Sequence, residues 1–266
     1  MPDRPSQGAG GLDEAQVRSR SVFIRDLAHE VSSPLTPLAG YLRILQGEKL
    51  GPLTAQQRKV VETMMVSVNR LARIVDNLAD FASLGSERAP LSLEAVEPEV
   101  LAEKVVEDLR PAIRDGRLHV VVVKGAGGPI QADPRKLRQA LANLVSNAVK
   151  FSPHGGEVLV EVVREAGRLR FAVYDQGPGV PEQDVAGLFE PFNHARRRGR
   201  DELRHPGSGL GLPVARRIAE AHGGRVWLES PPRTQPAVAG GRHFTGTRVT
   251  LEVPVAPSEP GAAPTS

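Results

Sequence analysis

Between Val17 and Leu45 an apolar residue returns at every seventh position (Val17, Ile24, Val31, Leu38, Leu45). Leu27, Ala28, Leu35, Tyr41 and Leu42 widen that row into a stripe. A return of this length and width predicts a bundle helix rather than a strand. The run Gln46-Gly47-Glu48-Lys49-Leu50-Gly51-Pro52 reads as a turn. A second stripe follows with spacings of three and four: Val61, Met64, Val68, Leu71, Val75, Leu78 and Ala82. Two such helices on a short loop make an antiparallel hairpin. Each stripe is too wide for one partner helix to cover. A second copy of the hairpin is therefore expected, giving a dimeric four-helix bundle.

The period changes after a linker at 86–90, preceded by Gly85 and closed by Pro90. Leu91 to Val96 alternates as a strand, and Pro98 to Arg114 reads as a helix. Leu118 to Val123 reads as a strand and Pro134 to Phe151 as a long helix. Glu157 to Val163 and Arg168 to Tyr174 predict a hairpin turning at Ala166-Gly167. Pro181 to Pro206 is irregular; Leu210 to His222 reads as a helix closed by Gly223-Gly224. Val226 to Glu229 and Thr247 to Val253 complete the strands. Strands mixed with helices predict an α+β chain in which a sheet carries helices on one face. The expected division is a tail at 1–15, the helical hairpin at 16–85, the linker, a mixed α/β domain at 91–255, and a Pro/Ala/Ser tail at 256–266, both tails disordered.

Composition closes off several functions. The 266 residues include no Cys, which excludes disulfides, thiolate metal sites and a cysteine nucleophile and suits a reducing cytoplasm. No apolar run approaches the roughly 18 residues of a membrane span, and Met1 to Gly11 is polar, unlike a signal peptide. The 34 basic residues nearly balance 31 acidic ones. The one tight basic cluster, Arg196-Arg197-Arg198-Gly199-Arg200, is followed at once by Asp201 and Glu202, so nucleic acid is not an expected partner.

Within the first helix, His29 falls off the apolar stripe, with Glu30 beside it as a group able to orient or deprotonate the ring. Taken alone it reads as a solvated histidine. The zinc pattern His-Glu-x-x-His fails, because Ser33 occupies the second His position. Pro34 and Pro37 would ordinarily end a helix, but the stripe continues in register through Leu38, Leu42 and Leu45, which predicts a kink instead.

Farther on, Asn143, Asn147 and Lys150 share one helix face, and Phe151 follows. Two carboxamides and an ammonium suit Mg²⁺ and phosphate oxygens, although a polar helix face is the commoner meaning of such a row. Asp175-Gln176-Gly177-Pro178-Gly179 follows a strand; its glycines permit close approach to a ligand, and an acid there can accept a hydrogen bond from an adenine amino group. Phe189 and Phe192 flank the irregular stretch. Gly207-Ser208-Gly209-Leu210-Gly211-Leu212 opens a helix, where exposed N–H groups form a phosphate site. Its spacing is not the dinucleotide fingerprint Gly-x-Gly-x-x-Gly.

In this order, over about residues 16–254, the motifs resemble those of sensor histidine kinases. His29-Glu30-Val31-Ser32-Ser33-Pro34-Leu35 resembles the H-box and Asn143–Phe151 the N-box. Asp175–Gly179, Leu188–Phe192 and Gly207–Leu212 resemble the G1, F and G2 boxes. The departures are Ser32, where family members often carry a basic residue, and Ser33, where Thr or Asn is common; Ser33 keeps a hydroxyl compatible with a phosphatase role.

The resemblance implies an ATP-binding sandwich of the type shared by histidine kinases, gyrase-like ATPases and Hsp90-like chaperones. It implies ATP and Mg²⁺ as cofactors, with Asn147 as metal ligand, Lys150 at phosphate, Phe151 against the nucleotide and Asp175 reading adenine. His29 would be the phosphoacceptor, Glu30 its base, and an aspartate in a response-regulator receiver domain the next acceptor, within a homodimer. The signal would come from a separate sensor protein or from a sensor domain of a longer chain. The rival expectations are a serine-phosphorylating anti-sigma kinase of the same fold and a degenerate scaffold.

Overall fold

A computed structural model describes residues 28, 30–83, 91–191, 193, 209–236 and 243–256. The chain divides into two compact units, Met1–Ala89 and Pro90–Ser266.

The first unit holds α1 (residues 30–46) and α2 (Ala55–Ser83). Pro34 and Pro37 lie inside α1, whose helical run continues to residue 46. The chain turns as Gly47 N–H reaches the Arg43 carbonyl at 2.9 Å and Lys49 N–H that of Ile44 at 3.2 Å. Thr54 and Gln57 then cap α2 reciprocally. Gln57 N–H donates to the Thr54 hydroxyl at 3.2 Å, and Thr54 N–H donates to the Gln57 carboxamide at 2.9 Å, satisfying two donors at the helix start.

Ala28, Leu35 and Leu42 from the first helical arm of this hairpin bury against Val61, Met65, Val68 and Val75, with Ala72 and Ala79 beside them. The sequence stripe on α2 thus divides. Val61, Val68 and Val75 face α1 together with Met65, Ala72 and Ala79. Met64 and Leu71, read as part of the same stripe, stay 51% and 43% exposed. On α1, Leu38 and Tyr41 are likewise exposed.

The second unit contains β1 (Glu94–Val96), α3 (Pro98–Asp108), α4 (Arg110–Asp115), β2 (His119–Gly125), β3 (Ile130–Ala132) and α5 (Pro134–Phe151). It continues with β4 (Glu157–Glu165), β5 (Arg168–Asp175), α6 (Glu182–Val185), a 3₁₀ turn (Ala186–Phe189), α7 (Gly211–Ala221), β6 (Arg225–Glu229) and β7 (Arg248–Pro254). The main sheet has the order β2-β4-β5-β7-β6; β2 and β4 are parallel and the other pairs antiparallel. The β4–β5 hairpin turns through Ala166 and Gly167, both at positive φ (49° and 74°), as the two-residue turn requires.

Helices α3, α5 and α7 cover one face of this sheet. Helix α5 buries Leu137, Ala140, Leu141, Leu144, Val145, Ala148 and Val149, spaced three and four apart, against it. On the other face Leu159, Ala172, Tyr174 and Phe244 form a smaller core.

Three sequence expectations are corrected. The helix expected over Pro98 to Arg114 is two helices broken at Leu109, because Pro111 has no N–H to continue the ladder. Strand β3, absent from the expectation, pairs antiparallel with β1. Three residues are too few to show a period. The irregular stretch from Pro181 also contains α6 and the 3₁₀ turn.

Candidate functional site

The site assembles from the ends of α5, β5 and α7. Asp133 begins α5 as its N-cap, accepting from Arg135 N–H at 3.1 Å and Lys136 N–H at 3.0 Å, with Pro134 following. The Asp133 N–H in turn donates to His222 Nε2 at 3.0 Å, and His222 Nδ1 lies 2.8 Å from the Ile218 carbonyl. An imidazole accepting at Nε2 donates at Nδ1, so this buried ring ties the start of α5 to the end of α7. Where the helices next meet, the Asn143 side chain lies against Gly211, 3.7 Å from where a Cβ there would sit.

Half-buried Asn143, Asn147 and Lys150 line one face of α5. The Lys150 ammonium lies 4.6 Å from the centre of the Phe151 ring. Asn143 Nδ2 is buried with no protein hydrogen-bond partner, a donor of the kind a phosphate oxygen satisfies. Among the described residues no cluster of His, Asp or Glu could hold a metal by itself. A divalent ion here would rest on a carboxamide oxygen and on phosphates, as Mg²⁺ commonly does. The donor set fits Mg·ATP.

Asp175 ends β5, buried, at the edge of this face. Its Oδ1 accepts from Gly177 N–H at 2.8 Å and Thr247 N–H at 3.1 Å; its Oδ2 accepts from the Thr247 hydroxyl. A side chain at Gly177 would come 2.9 Å from both Asp175 Oδ1 and the Phe151 carbonyl, and one at Gly246 only 2.1 Å from Asp175 Oδ1. Backbone must approach here more closely than any Cβ allows. Gly179 has φ 73°, and Ser230 beneath it accepts from Val180 N–H at 2.7 Å.

The structure therefore brings Asn143, Phe151, Asp175, Gly177 and Gly211 to adjoining positions. Gly209 (φ 67°) and fully buried Leu210 lead into α7, where Leu210 at the N-cap offers no capping side-chain bond, and Leu212 is half-buried in its first turn. Half-buried Phe189 sits in the 3₁₀ turn packed on α7. Glu30 and Ser33 are exposed on α1. His29, Phe192, Gly207, Ser208 and the arginine cluster lie outside the described residues, as do the linker, the whole of the tail at 1–15 and all but Ala256 of the tail at 256–266. Sequence reasoning missed Thr247, Gly246, Ser230 and Gln176. The available signal was the Gly-Thr step just before the last strand.

A sheet with this order, roofed by helices whose ends gather two carboxamides, a clamped carboxylate and glycines, defines an ATP-binding fold. The model of the histidine kinase-, DNA gyrase B- and HSP90-like ATPases matches residues 132–257, and that of the His Kinase A phospho-acceptor domain matches residues 19–87. The chain belongs to the sensor histidine kinases of two-component systems.

Similar proteins include the circadian input-output histidine kinase CikA of Synechococcus elongatus, 32% identical over 82% of this chain and 29% of its own length. The histidine protein kinase DivJ of Caulobacter vibrioides is 31% identical over 91% of this chain and 38% of its length. Each of these relatives is thus far longer than the part this chain matches. Full-length ShkA, solved in complex with AMPPNP, superposes with a TM-score of 0.67 at 33% identity, over 91% of this chain and 47% of that one. The complex of the histidine kinase ThkA with the response regulator protein TrrA shares the fold (TM-score 0.59, 19% identity, 97% of this chain and 69% of that one).

Proposed function

We propose that this chain is an ATP-dependent autokinase that phosphorylates its own His29 and hands the phosphoryl group to an aspartate of a response-regulator receiver domain. The observation that carries the reading is the clamped Asp175 carboxylate beside the Phe151 end of α5, with Asn143 facing Gly211 at the start of α7. One motif supplies a base reader, one the phosphate donors and one a helix N-terminus, all in adjoining positions. The AMPPNP bound to ShkA and the TrrA bound to ThkA support nucleotide and receiver partners of these kinds.

In this reading Asp175 accepts from the adenine amino group, Phe151 packs on the base, and Lys150, Asn143 and the start of α7 orient the phosphates. Asn147 would hold Mg²⁺, which neutralises charge on the phosphates. A ring nitrogen of His29 forms the N–P bond as the γ-phosphorus to oxygen bond breaks and ADP leaves. Glu30 takes the ring proton.

Residues 16–85 are assigned as the dimerisation and phosphoacceptor hairpin and 91–255 as the catalytic unit, working in the cytoplasm where ATP and receiver domains are found. A homodimer is supported by the apolar row that one hairpin leaves uncovered, Leu38, Met64 and Leu71. No helix among the described residues is long and apolar enough to cross a membrane.

The test is phosphate incorporation with labelled ATP. The native chain should acquire acid-labile, base-stable phosphate and His29→Gln none; normal incorporation in that variant sinks the assignment. Base-stable label is also what separates this reading from a serine kinase or an inert scaffold. Mixing His29→Gln with Asn147→Asp separates the two routes of transfer. Label in the mixture marks transfer between subunits, and its absence marks transfer within one.

A further inference from the structure

Between β6 and β7 the chain runs from Ser230 to Thr247, and its described parts do more than connect two strands. The Gln235 carboxamide pairs with both backbone groups of Phe244: Phe244 N–H donates to Oε1 at 2.9 Å, and Nε2 donates to the Phe244 carbonyl at 3.0 Å. A side chain here does what a neighbouring strand would do. Phe244, 1% exposed, packs with its ring 5.7 Å from that of Tyr174, in the small core on the face of the sheet away from the helices. Tyr174 directly precedes Asp175. Three residues beyond Phe244, Thr247 delivers both of its donors to the Asp175 carboxylate.

The same segment is fastened at three further points. The Ser230 hydroxyl donates to the Gly246 carbonyl at 3.2 Å, and Gly246 N–H donates to the Asp175 carbonyl at 3.1 Å. Gln176 Nε2 donates to the His243 carbonyl at 3.2 Å, while its Oε1 accepts from Glu157 N–H at 2.9 Å. Every one of these bonds ends within one residue of Asp175 or on the strap segment that supplies Thr247.

We propose that residues 230–236 and 243–247 form a clamp on the base site, in which Gln235 is a positioning residue acting through Phe244 and Thr247 on the Asp175 carboxylate. The proposal rests on the nucleotide-binding reading above and adds to it a remote determinant of adenine affinity and base preference. Gln235 fixes the backbone of Phe244; the buried ring fixes where the chain leaves the far face; that in turn sets where Thr247 meets Asp175. Without the pairing, Thr247 still follows Phe244, but its two donors sample a wider range of positions. The carboxylate is then poorly aimed at an amino group and less able to discriminate against a base that presents a carbonyl there.

The experiment measures binding of ADP and GDP to the full chain by calorimetry, with autophosphorylation rates over a range of ATP concentrations. Gln235→Ala should weaken ADP binding by about tenfold, the scale of one or two lost hydrogen bonds. It should raise KM for ATP correspondingly and shrink the preference for ADP over GDP, while the rate at saturating ATP stays within about twofold. Gln235→Glu keeps the acceptor for Phe244 N–H and loses the donor, so its effect should be intermediate; it also decides the matter if the alanine variant fails to fold. Unchanged ADP affinity and unchanged base preference in a folded variant would overturn the clamp alone. A loss of saturated rate with base preference intact would overturn it too, because that marks general structural damage. Failure of the native chain to bind ADP at all would overturn the nucleotide reading as well.

Discussion

Thr247 meets Asp175 through both of its donors, the N–H at 3.1 Å from Oδ1 and the hydroxyl on Oδ2. Sheet register puts them there. Strands β5 and β7 are antiparallel with Tyr174 opposite Arg248, so the next pair along is Asp175 and Thr247, and Asp175 N–H returns a bond to the Thr247 carbonyl at 3.0 Å. The last residue of one strand and the residue before the other thus become a single unit for presenting a carboxylate.

Thr247→Val keeps the shape and the backbone donor and removes the hydroxyl. Loss of one hydrogen bond to a charged group corresponds to about 1.5–3 kcal/mol, so ATP affinity should fall by about tenfold or more. Thr247→Ser should retain native affinity. Calorimetry on the two variants checks the pair; equal binding by both would detach the hydroxyl from nucleotide recognition.

Asp175→Asn is nearly isosteric but replaces one acceptor oxygen with a donor. That amide would face the adenine amino group donor against donor. Nucleotide binding should drop strongly while circular dichroism and thermal melting stay close to native. Full ATP affinity in this variant would remove Asp175 as the base reader.

What the sequence made legible follows from physical range. Helix α5 was read end to end, Pro134 to Phe151, because its period and its N-terminal proline are local signals. The Asn, Asp and Gly motifs were legible for the same reason. Thr247 was not, since its role depends on β5 and β7 pairing across 72 residues of sequence, and only the register reveals it. Gln235 and His222 were hidden similarly: a single polar side chain carries no period, and its partners are backbone groups. The split of the α2 stripe was half legible. Its width was apparent, but which edge turns to α1 depends on a one-residue rotation that places Met65 inside and Met64 outside.

Glu252 sits on β7 at 1% exposure, accepting from Arg170 at 2.6 Å and Arg225 at 3.1 Å, with Arg168 3.7 Å away. Burial by itself would raise its carboxyl, but the Arg170 hydrogen bond and the charges of Arg225, Arg170 and Arg168 outweigh burial and leave it below its ordinary range. A carboxyl depressed in the folded state contributes stability that is present above the unfolded value and lost as pH falls through the folded one. Thermal melting should therefore decline as the buffer is acidified below the ordinary glutamate value. Glu252→Gln should melt lower at neutral pH and show a shallower acid decline. Parallel pH profiles for the two proteins would exclude this cluster as the source.

The two edges of the α2 stripe allow dimerisation and folding to be tested separately. Val68 is buried within one hairpin against α1, whereas Leu71, one turn along on the other edge, is 43% exposed in the single chain. A charge at Val68 must be taken into the hairpin's own core, so Val68→Glu should lower helicity and melting temperature together; an unpaired buried charge costs several kcal/mol. A charge at Leu71 stays accessible to water in the isolated hairpin. Leu71→Glu should leave helical content and ADP binding unchanged. In a dimer the same substitution occurs in both copies, each forfeiting about 1.5–3 kcal/mol of apolar burial and adding a charge to desolvate. The dimer dissociation constant should rise at least 100-fold. Analytical ultracentrifugation of the full chain over a concentration series measures it directly. The native chain should sediment as a dimer at micromolar concentration and Leu71→Glu as a folded monomer. If Leu71→Glu remains as dimeric as the native chain, the exposed edge of α2 does not form the interface, and the four-helix arrangement must be abandoned.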